Sequence, residues 1–226
     1  MQSSLLYMKR IFLSPSRLSL FLECPRCFWL DINRGVKRPS GIFPSLPSGM
    51  DSILKKYFDG FRCNGCLPPE LEDKLKGHLF DDMEKLNIWR NNFKGLQYID
   101  EKSGIGLRGA LDDLFVTDDK LFVPLDFKTR GFPLKEDTHE HYQHQMDIYC
   151  FLLDVNGNKT GNFACLLFYH PIMVEDDGRV KFKSDFVKVK TSKENGEKMF
   201  MNAIEVILGE EPECKEGCPF CNWNKN

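Results

Sequence analysis

Residues 109–128 read GALDDLFVTDDKLFVPLDFK, in which a polar turn at residues 117–120 separates two apolar runs. This spacing is typical of a β-hairpin, so we expect Asp112 on one strand and Asp126 and Lys128 on its neighbour. Because successive side chains of a strand point to opposite faces, Asp126 and Lys128 share one face and Phe127 points to the other. The sequence therefore predicts a place on a sheet where two carboxylates and an ammonium group meet.

A pair of carboxylates held close together is costly, because like charges repel and partly buried charges lose solvation. A divalent cation such as Mg²⁺ removes both penalties, since it takes oxygen ligands and keeps several of its waters. A water bound to such a cation loses a proton more readily and becomes a nucleophile. A neighbouring lysine can orient that water or stabilise negative charge on a phosphate. The plainer interpretation of Asp126-x-Lys128 taken alone is a salt bridge at the end of a strand.

The two motifs belong to a longer order that spans residues 109–149. It consists of Gly109-x-x-Asp112, Asp126-x-Lys128 and Gln145-x-x-x-Tyr149. The third motif falls on a helix predicted over residues 140–154. The order resembles the PD-(D/E)XK nuclease superfamily and, within it, the RecB-like and CRISPR-adaptation nucleases. The resemblance implies an α/β fold with a restriction-endonuclease-like core, in which helices flank a mixed sheet of about five strands. It also implies that Gln145 and Tyr149 line the active site.

The same resemblance implies a metal-dependent DNA nuclease that hydrolyses phosphodiester bonds in DNA repair, recombination or CRISPR adaptation. Asp112 and Asp126 would bind Mg²⁺ or Mn²⁺, with the main-chain carbonyl of Phe127 as a further ligand. Lys128 would position the attacking water and stabilise charge on the phosphate. The partners implied are DNA, as single strands or duplex ends, and the proteins of a repair or CRISPR-adaptation complex.

One position departs from the family pattern. The resembling nucleases carry a histidine or glutamate metal ligand on a helix that follows a glycine, and residues 50–61 are predicted to form that helix after Gly49. Neither residue type occurs there, and Asp51 is the nearest acidic residue. Asp51 is either the third carboxylate of the metal site or an acid favoured by the dipole at a helix start. The departure leaves a second function open, namely a catalytically inactive nucleic-acid-binding or scaffold subunit that keeps the nuclease fold.

Nine cysteines are many for a chain whose first ten residues show no secretory signal. We therefore expect a cytoplasmic protein whose cysteines bind metal rather than form disulfides. Two C-P-x-C pairs, Cys24 with Cys27 and Cys218 with Cys221, lie near opposite ends of the sequence. Together they offer four soft ligands to one metal centre.

The resemblance implies that one N-terminal and three C-terminal cysteines hold a 4Fe–4S cluster, which forms a cysteine-rich cap joining the two ends. No cysteine follows Cys221 in this sequence, so we expect Cys27 or Cys214 as the fourth ligand. The short C-x-x-C chelate favours Cys27. Cysteine ligation alone does not separate iron–sulfur from zinc, so a structural zinc is the alternative.

A content of 42% hydrophobic and 28% charged residues is ordinary for a soluble globular domain. The net charge of −2 argues against coating nucleic acid through bulk charge, and no apolar run reaches the ~18 residues of a membrane span. We expect one domain over residues 1–226: a helical N-terminal part at 11–94, a core at about 97–190, and a C-terminal helix and cysteine tail at 192–226. In finer detail we expect a loop at 33–49, two short helices within 67–94 and three strands within 97–128. A further pair, Cys63 and Cys66, has the spacing of a zinc knuckle.

Overall fold

The computed structural model describes residues 10–221. Their α-helices are α1 (Pro15–Glu23), α2 (Pro25–Arg34), α3 (Ser45–Cys63), α4 (Met83–Trp89), α5 (Gln143–Val155) and α6 (Lys193–Leu208). Their β-strands are β1 (Phe12–Leu13), β2 (Gly77–Leu79), β3 (Leu96–Ile99), β4 (Gly106–Gly109), β5 (Asp113–Thr117), β6 (Phe122–Thr129), β7 (Phe163–Val174) and β8 (Val180–Lys190). A short 3₁₀ turn, Thr138–Tyr142, leads into α5. The fold is of the mixed α/β class that the sequence predicts.

The central sheet contains five strands in the order β2-β5-β6-β7-β8. The pair β6 and β7 is parallel, whereas the other neighbours are antiparallel, so the sheet is mixed as predicted. Parallel neighbours need a crossover connection, and α5 lies within that connection. This topology places α5 against the strand that carries the second motif.

Helices pack on both faces of the central sheet. Successive residues of β7 point to opposite faces and therefore belong to two different hydrophobic cores. Leu166 and Phe168 belong to a hydrophobic core shared with α5 and α6, whereas Leu167 belongs to a second core shared with α3. In that second core the ring of Phe127 lies 4.7 Å from the ring of Phe58, a residue of α3. Phe127 therefore faces α3, and its neighbours along β6 face the side of α5.

A smaller sheet in the order β1-β4-β3 accompanies the central one. The sequence predicts three strands within residues 97–128, but the structure contains four there, because β3 and β4 form a separate hairpin ahead of β5 and β6. β1 pairs in parallel with β4, with Phe12 opposite Gly106. A Cβ on Gly106 would lie 2.4 Å from the Phe12 ring, so only glycine permits this approach.

The N-terminal part is less helical than predicted. Residues 67–76 contain turns rather than a helix, and Pro68 and Pro69 disfavour helical continuation there. β2 then joins the edge of the central sheet, so the sheet draws on residues outside the predicted core of 97–190. α3 begins at Ser45, inside the predicted loop, because Pro47 occupies the first turn, where main-chain N–H groups lack helical partners.

The helix break predicted at Cys24 separates α1 from α2. Ser14 caps α1 by accepting a hydrogen bond from the main-chain N–H of Arg17 at 3.3 Å, and Pro15 takes the first helical position. Pro25 begins α2 in the same way. Cys24 therefore lies buried at the bend between the two helices. Within residues 10–221, no helix has the length and apolar character needed to cross a membrane.

Candidate functional site

Asp112 lies in the bend immediately before β5, one residue short of the strand on which the sequence placed it. Pairing of the hairpin begins with Asp113 opposite Leu125, so residues 126–129 run past the end of β5. There the main-chain N–H of Phe127 donates a hydrogen bond of 3.0 Å to Oδ2 of Asp112. The carboxylate thus occupies the place of a strand partner and is fixed beside β6.

Asp126 and Lys128 form an ion pair on one face of β6. Gln145 of α5 bridges them, because its Nε2 donates to Oδ1 of Asp126 at 3.3 Å and its Oε1 accepts from Nζ of Lys128 at 3.2 Å. The Asp126 side chain is only 2% exposed. Its Oδ2 contacts the ammonium but makes no aligned hydrogen bond with any described residue. Burial raises the pKa of Asp126 to about 7. The negative charge of Asp112 adds to the rise, whereas the positive charge of Lys128 opposes it.

Tyr149 fixes Gln145 from the next turn of α5. Gln145 Nε2 donates to the Tyr149 hydroxyl at 2.8 Å, and that hydroxyl donates to the carbonyl of Ala110 at 2.7 Å. Burial raises the pKa of Tyr149 well above its ordinary value, and the neighbouring carboxylates add to the rise, so the hydroxyl keeps its proton. A Cβ on Gly109 would lie 2.8 Å from Leu152 and 3.0 Å from Tyr149, which explains the glycine of the first motif.

Asp51 comes to the same place from α3. Because α3 begins at Ser45, Asp51 lies inside the helix and not in its first turn, so the dipole at a helix start does not explain it. The side chain points to Lys55, whose Nζ lies 2.8 Å from Oδ1 of Asp51 and 3.1 Å from Oδ1 of Asp112. Lys55 is not among the site residues that the sequence predicts. Its spacing of four residues from Asp51 predicts a helical ion pair, but only the fold brings Asp112 to it.

The donors at this site fit a hard divalent cation. Asp51, Asp112 and Asp126 offer carboxylate oxygens, which Mg²⁺ and Mn²⁺ prefer. Oδ2 of Asp126 is buried without an aligned donor, as expected of an atom meant for a cation. The oxygens of the three carboxylates do not all lie within 4.8 Å of one another, and the ammonium groups of Lys55 and Lys128 lie against them.

A cavity of about 630 Å³ opens beside this site, between α1 and the start of α5. Gln145 and Tyr142 are in its wall, and the Tyr142 ring lies 4.7 Å from Nζ of Lys128. In its lining, Oγ of Ser19 on α1 lies 2.7 Å from Nε2 of His144 on α5, a contact that the sequence spacing does not predict. Burial lowers the pKa of His144. The volume is within the ~300–1,000 Å³ of pockets that hold a ligand.

A sequence profile of the PD-(D/E)XK nuclease superfamily matches residues 12–225. The chain belongs to the PD-(D/E)XK nuclease superfamily. Members of this superfamily generally hydrolyse nucleic acids and use divalent metals. Among solved structures, one titled "Crystal structure of SSO0001" is similar, with 15% sequence identity and a TM-score of 0.45, and the match covers 92% of this chain and 81% of that chain. No curated protein matches the chain.

In this PD-(D/E)XK chain, four cysteines from opposite ends of the sequence form a second cluster. Their sulfur atoms all lie within 4.8 Å of one another, and the residues are Cys24, Cys27, Cys218 and Cys221. Sγ of Cys24 lies 3.4 Å from that of Cys221, and Sγ of Cys27 lies 3.7 Å from that of Cys218. Cys214 is exposed and stands outside the group, so the structure favours Cys27 as the fourth member. Cys63 and Cys66 are exposed as well, and the structure brings no third metal-binding side chain to that pair among the described residues.

Among the four cysteines, the surroundings of Cys218 favour its thiolate. Burial would raise the pKa of Cys218, but hydrogen bonds from the main chain of Phe220 and from neighbouring thiols outweigh it and bring that pKa to about 6. Nη2 of Arg38 donates to Sγ of Cys218 at 3.7 Å, and the same guanidinium lies 4.5 Å from the Phe220 ring. These residues fit a thiolate-bound metal centre that holds the two ends of the PD-(D/E)XK fold together.

Proposed function

We propose that this chain is a deoxyribonuclease that hydrolyses phosphodiester bonds with Mg²⁺ or Mn²⁺. The observation that carries the proposal is the buried ion pair of Asp126 with Lys128, with Asp112 fixed beside it through the N–H of Phe127. Burial beside a specific charged partner raises the pKa of Asp126 to about 7, and such perturbed groups cluster at functional sites.

The proposed metal ligands are the carboxylates of Asp51, Asp112 and Asp126 and the main-chain carbonyl of Phe127. When bound, the metal supplies a Lewis acid and lowers the pKa of a coordinated water. Lys128 then orients the attacking water and stabilises charge on the phosphate, in the place where it already contacts Asp126.

Two residues of α5 support this chemistry. Gln145 is within hydrogen-bonding distance of both Asp126 and Lys128, so it orients the pair or holds the phosphate backbone. Tyr149 is a positioning residue, because its hydroxyl contacts Gln145 and the carbonyl of Ala110.

Single-stranded DNA or duplex ends are the proposed substrates. The cavity between α1 and α5 reaches Gln145 and Tyr142, so an unpaired nucleotide next to the cleaved phosphate can enter it. Tyr142 and Leu22 in its wall offer apolar surface to a base, which suits single-stranded nucleic acid. Glu23 and Glu140 line the same cavity, so it suits a base better than a phosphate. We place the activity in the cytoplasm, with DNA repair, recombination or CRISPR adaptation as its setting and the proteins of such a complex as partners.

Incubation of end-labelled single- and double-stranded DNA with Mn²⁺, Mg²⁺ or EDTA tests the proposal. We expect cleavage with either metal, none with EDTA, and none by Asp126→Ala protein. Asp118→Ala is the matched control, since Asp118 is an exposed aspartate in the turn of the same hairpin. If the wild-type protein binds DNA but neither cleaves it nor binds metal, the chain is instead an inactive nucleic-acid-binding or scaffold subunit.

For the cysteine cluster we propose one tetrahedral zinc rather than the 4Fe–4S cluster that the RecB-like resemblance implies. Four thiolates at ~2.3 Å from one zinc stand about 3.8 Å apart. Three of the six sulfur separations are 3.4, 3.7 and 3.9 Å, close to that value, and all six are within 4.8 Å. In a 4Fe–4S cluster each cysteine binds its own iron at a different corner, so the sulfurs stand further apart. The proposed zinc is structural, because all four positions around it are taken by protein ligands.

A further inference from the structure

Lys55 joins two carboxylates that come from distant parts of the sequence. Its Nζ lies 2.8 Å from Oδ1 of Asp51, one helical turn earlier, and 3.1 Å from Oδ1 of Asp112, in the bend before β5. Oδ2 of Asp51 is also 2.8 Å away. The ammonium group therefore occupies the space between two of the proposed metal ligands.

The charges explain why a lysine is held there. The side chains of Lys55 and Asp112 are each 21% exposed, so solvent screens this group only in part. Asp51 and Asp112 both point to the Lys55 ammonium group, which lies between the two like charges. The third carboxylate, Asp126, has its own partner in Lys128.

We propose that Lys55 is an internal counterion of the metal site, which a divalent cation must displace in order to bind Asp51 and Asp112 together. The proposal rests on the proposed function, since it takes both carboxylates as metal ligands. An ammonium group and a divalent cation cannot occupy the same space, so part of the binding free energy of the ion is spent in moving the lysine. Lys55 therefore weakens metal binding, while it stabilises the metal-free protein by separating two like charges.

The test is the affinity of the metal-free protein for Mn²⁺, measured by calorimetric titration without DNA. Lys55→Met removes the charge and keeps the length of the side chain. Lys56→Met is the matched control, because it removes the same charge from the next, exposed position of α3. We expect Lys55→Met to bind Mn²⁺ about tenfold more tightly or better, since the ammonium group repels an incoming divalent cation. Lys56→Met should match the wild type.

A second measurement separates the proposal from a merely structural salt bridge. Without metal, Lys55→Met should unfold at a lower temperature than the wild type, and Mn²⁺ should raise its melting temperature by more than it raises that of the wild type. Lys55→Gln, measured in parallel, gives the same comparison should the methionine variant fail to fold. An affinity that is unchanged or weaker in the Lys55 variants, or that rises equally in Lys56→Met, overturns the proposal. Wild-type protein that binds no Mn²⁺ overturns the metal site itself, and the counterion with it.

Discussion

The main-chain N–H of Phe127 donates a hydrogen bond of 3.0 Å to Oδ2 of Asp112. β6 continues past the point where β5 begins, so this N–H has no strand partner on that side and a carboxylate satisfies it instead. One contact thereby ties the first motif to the second. It fixes Asp112 without using the oxygen, Oδ1, that contacts Lys55.

The first prediction concerns the two side chains that share a face of β6. We expect Asp126→Ala and Lys128→Met each to reduce cleavage at least about 10²–10³-fold, the loss found when one charge-stabilising group is removed from an active site. Circular dichroism should show that both variants keep the fold, because each removes one member of a local ion pair and leaves the strand pairing intact. Cleavage by Asp126→Ala at the rate of Asp118→Ala would contradict the assignment of the site.

The shared face of these side chains could be predicted because it depends on local geometry alone. A strand alternates its faces whatever surrounds it, so Asp126 and Lys128 had to lie together and Phe127 had to point away. The start of α1 is local in the same sense, since Ser14 and Pro15 cap and begin a helix by themselves.

What the sequence left unpredicted depends on tertiary packing. The contact of Lys55 with Asp112 joins positions far apart in the chain, and the helical spacing to Asp51 predicts only half of it. β2 pairs with β5 over only three residues, from Gly77 to Leu79, a segment too short to show a period. Pro124 lies inside the central strand β6, where a proline is unfavourable, and burial of the surrounding apolar residues outweighs that preference.

The second prediction concerns Asp51. Asp51→Asn should weaken Mn²⁺ binding and raise the Mn²⁺ concentration needed for cleavage, because an amide is a poorer ligand than a carboxylate for a hard cation. Mn²⁺ titrations of binding and of cleavage measure both effects. Asp118→Asn is the control, because Asp118 is exposed. Asp59, an aspartate of the same helix as Asp51, is unsuitable because it pairs with Arg62 and Arg90. If the Mn²⁺ titrations of Asp51→Asn equal those of the wild type, Asp51 is not a metal ligand and serves only as the ion-pair partner of Lys55.

The third prediction is a pH dependence of stability that Asp126 causes. Its pKa is raised from 3.8 to about 7 in the folded protein, so between these values the folded state holds a proton that the unfolded state has lost. The free energy of unfolding of the wild type therefore falls as pH rises through this range and levels off above about pH 7.

Asp126→Asn lacks this titrating group and should not share the decline. Its stability relative to the wild type should increase between pH 5 and pH 8 by on the order of 2 kcal/mol, at about 1.4 kcal/mol per pH unit up to the folded pKa. Urea denaturation without added Mg²⁺ or Mn²⁺ measures the difference. Parallel stabilities of the two proteins across this range would show that the buried carboxylate is not protonated near neutral pH.

The fourth prediction concerns Tyr149. Tyr149→Phe leaves the carbonyl of Ala110 without a hydrogen-bond partner and leaves Nε2 of Gln145 with Asp126 alone, so the protein should lose about 1–3 kcal/mol of stability. A looser Gln145 should also lower kcat with little change in KM, which a purely structural loss would not produce. Tyr98→Phe is the control, because Tyr98 packs by its ring edge against Phe151 and its hydroxyl bonds to no described residue. If Tyr149→Phe and Tyr98→Phe have equal kcat, Tyr149 does not position Gln145 for catalysis.

The last prediction concerns the four sulfurs that join α1 and α2 to the C-terminal segment. We expect protein purified without oxygen to be colourless and to contain one zinc per chain. Cys218→Ser and Cys27→Ser should each lose the metal and unfold at a markedly lower temperature. The reason is that the centre links distant parts of the chain: Cys24 and Cys221, for example, are 197 residues apart in the sequence.

Cys214→Ser separates this centre from its alternatives. Cys214 is exposed and lies outside the cluster, so its variant should keep both zinc and stability. Loss of metal in Cys214→Ser with retention in Cys27→Ser would show that three C-terminal cysteines bind, as in the arrangement that the RecB-like resemblance implies. A brown protein that contains iron would establish an iron–sulfur cluster, and the sulfurs would then have to move apart from their present separations of 4.8 Å or less. Protein that holds neither metal and melts at the same temperature after Cys218→Ser would reduce the cluster to four packed thiols.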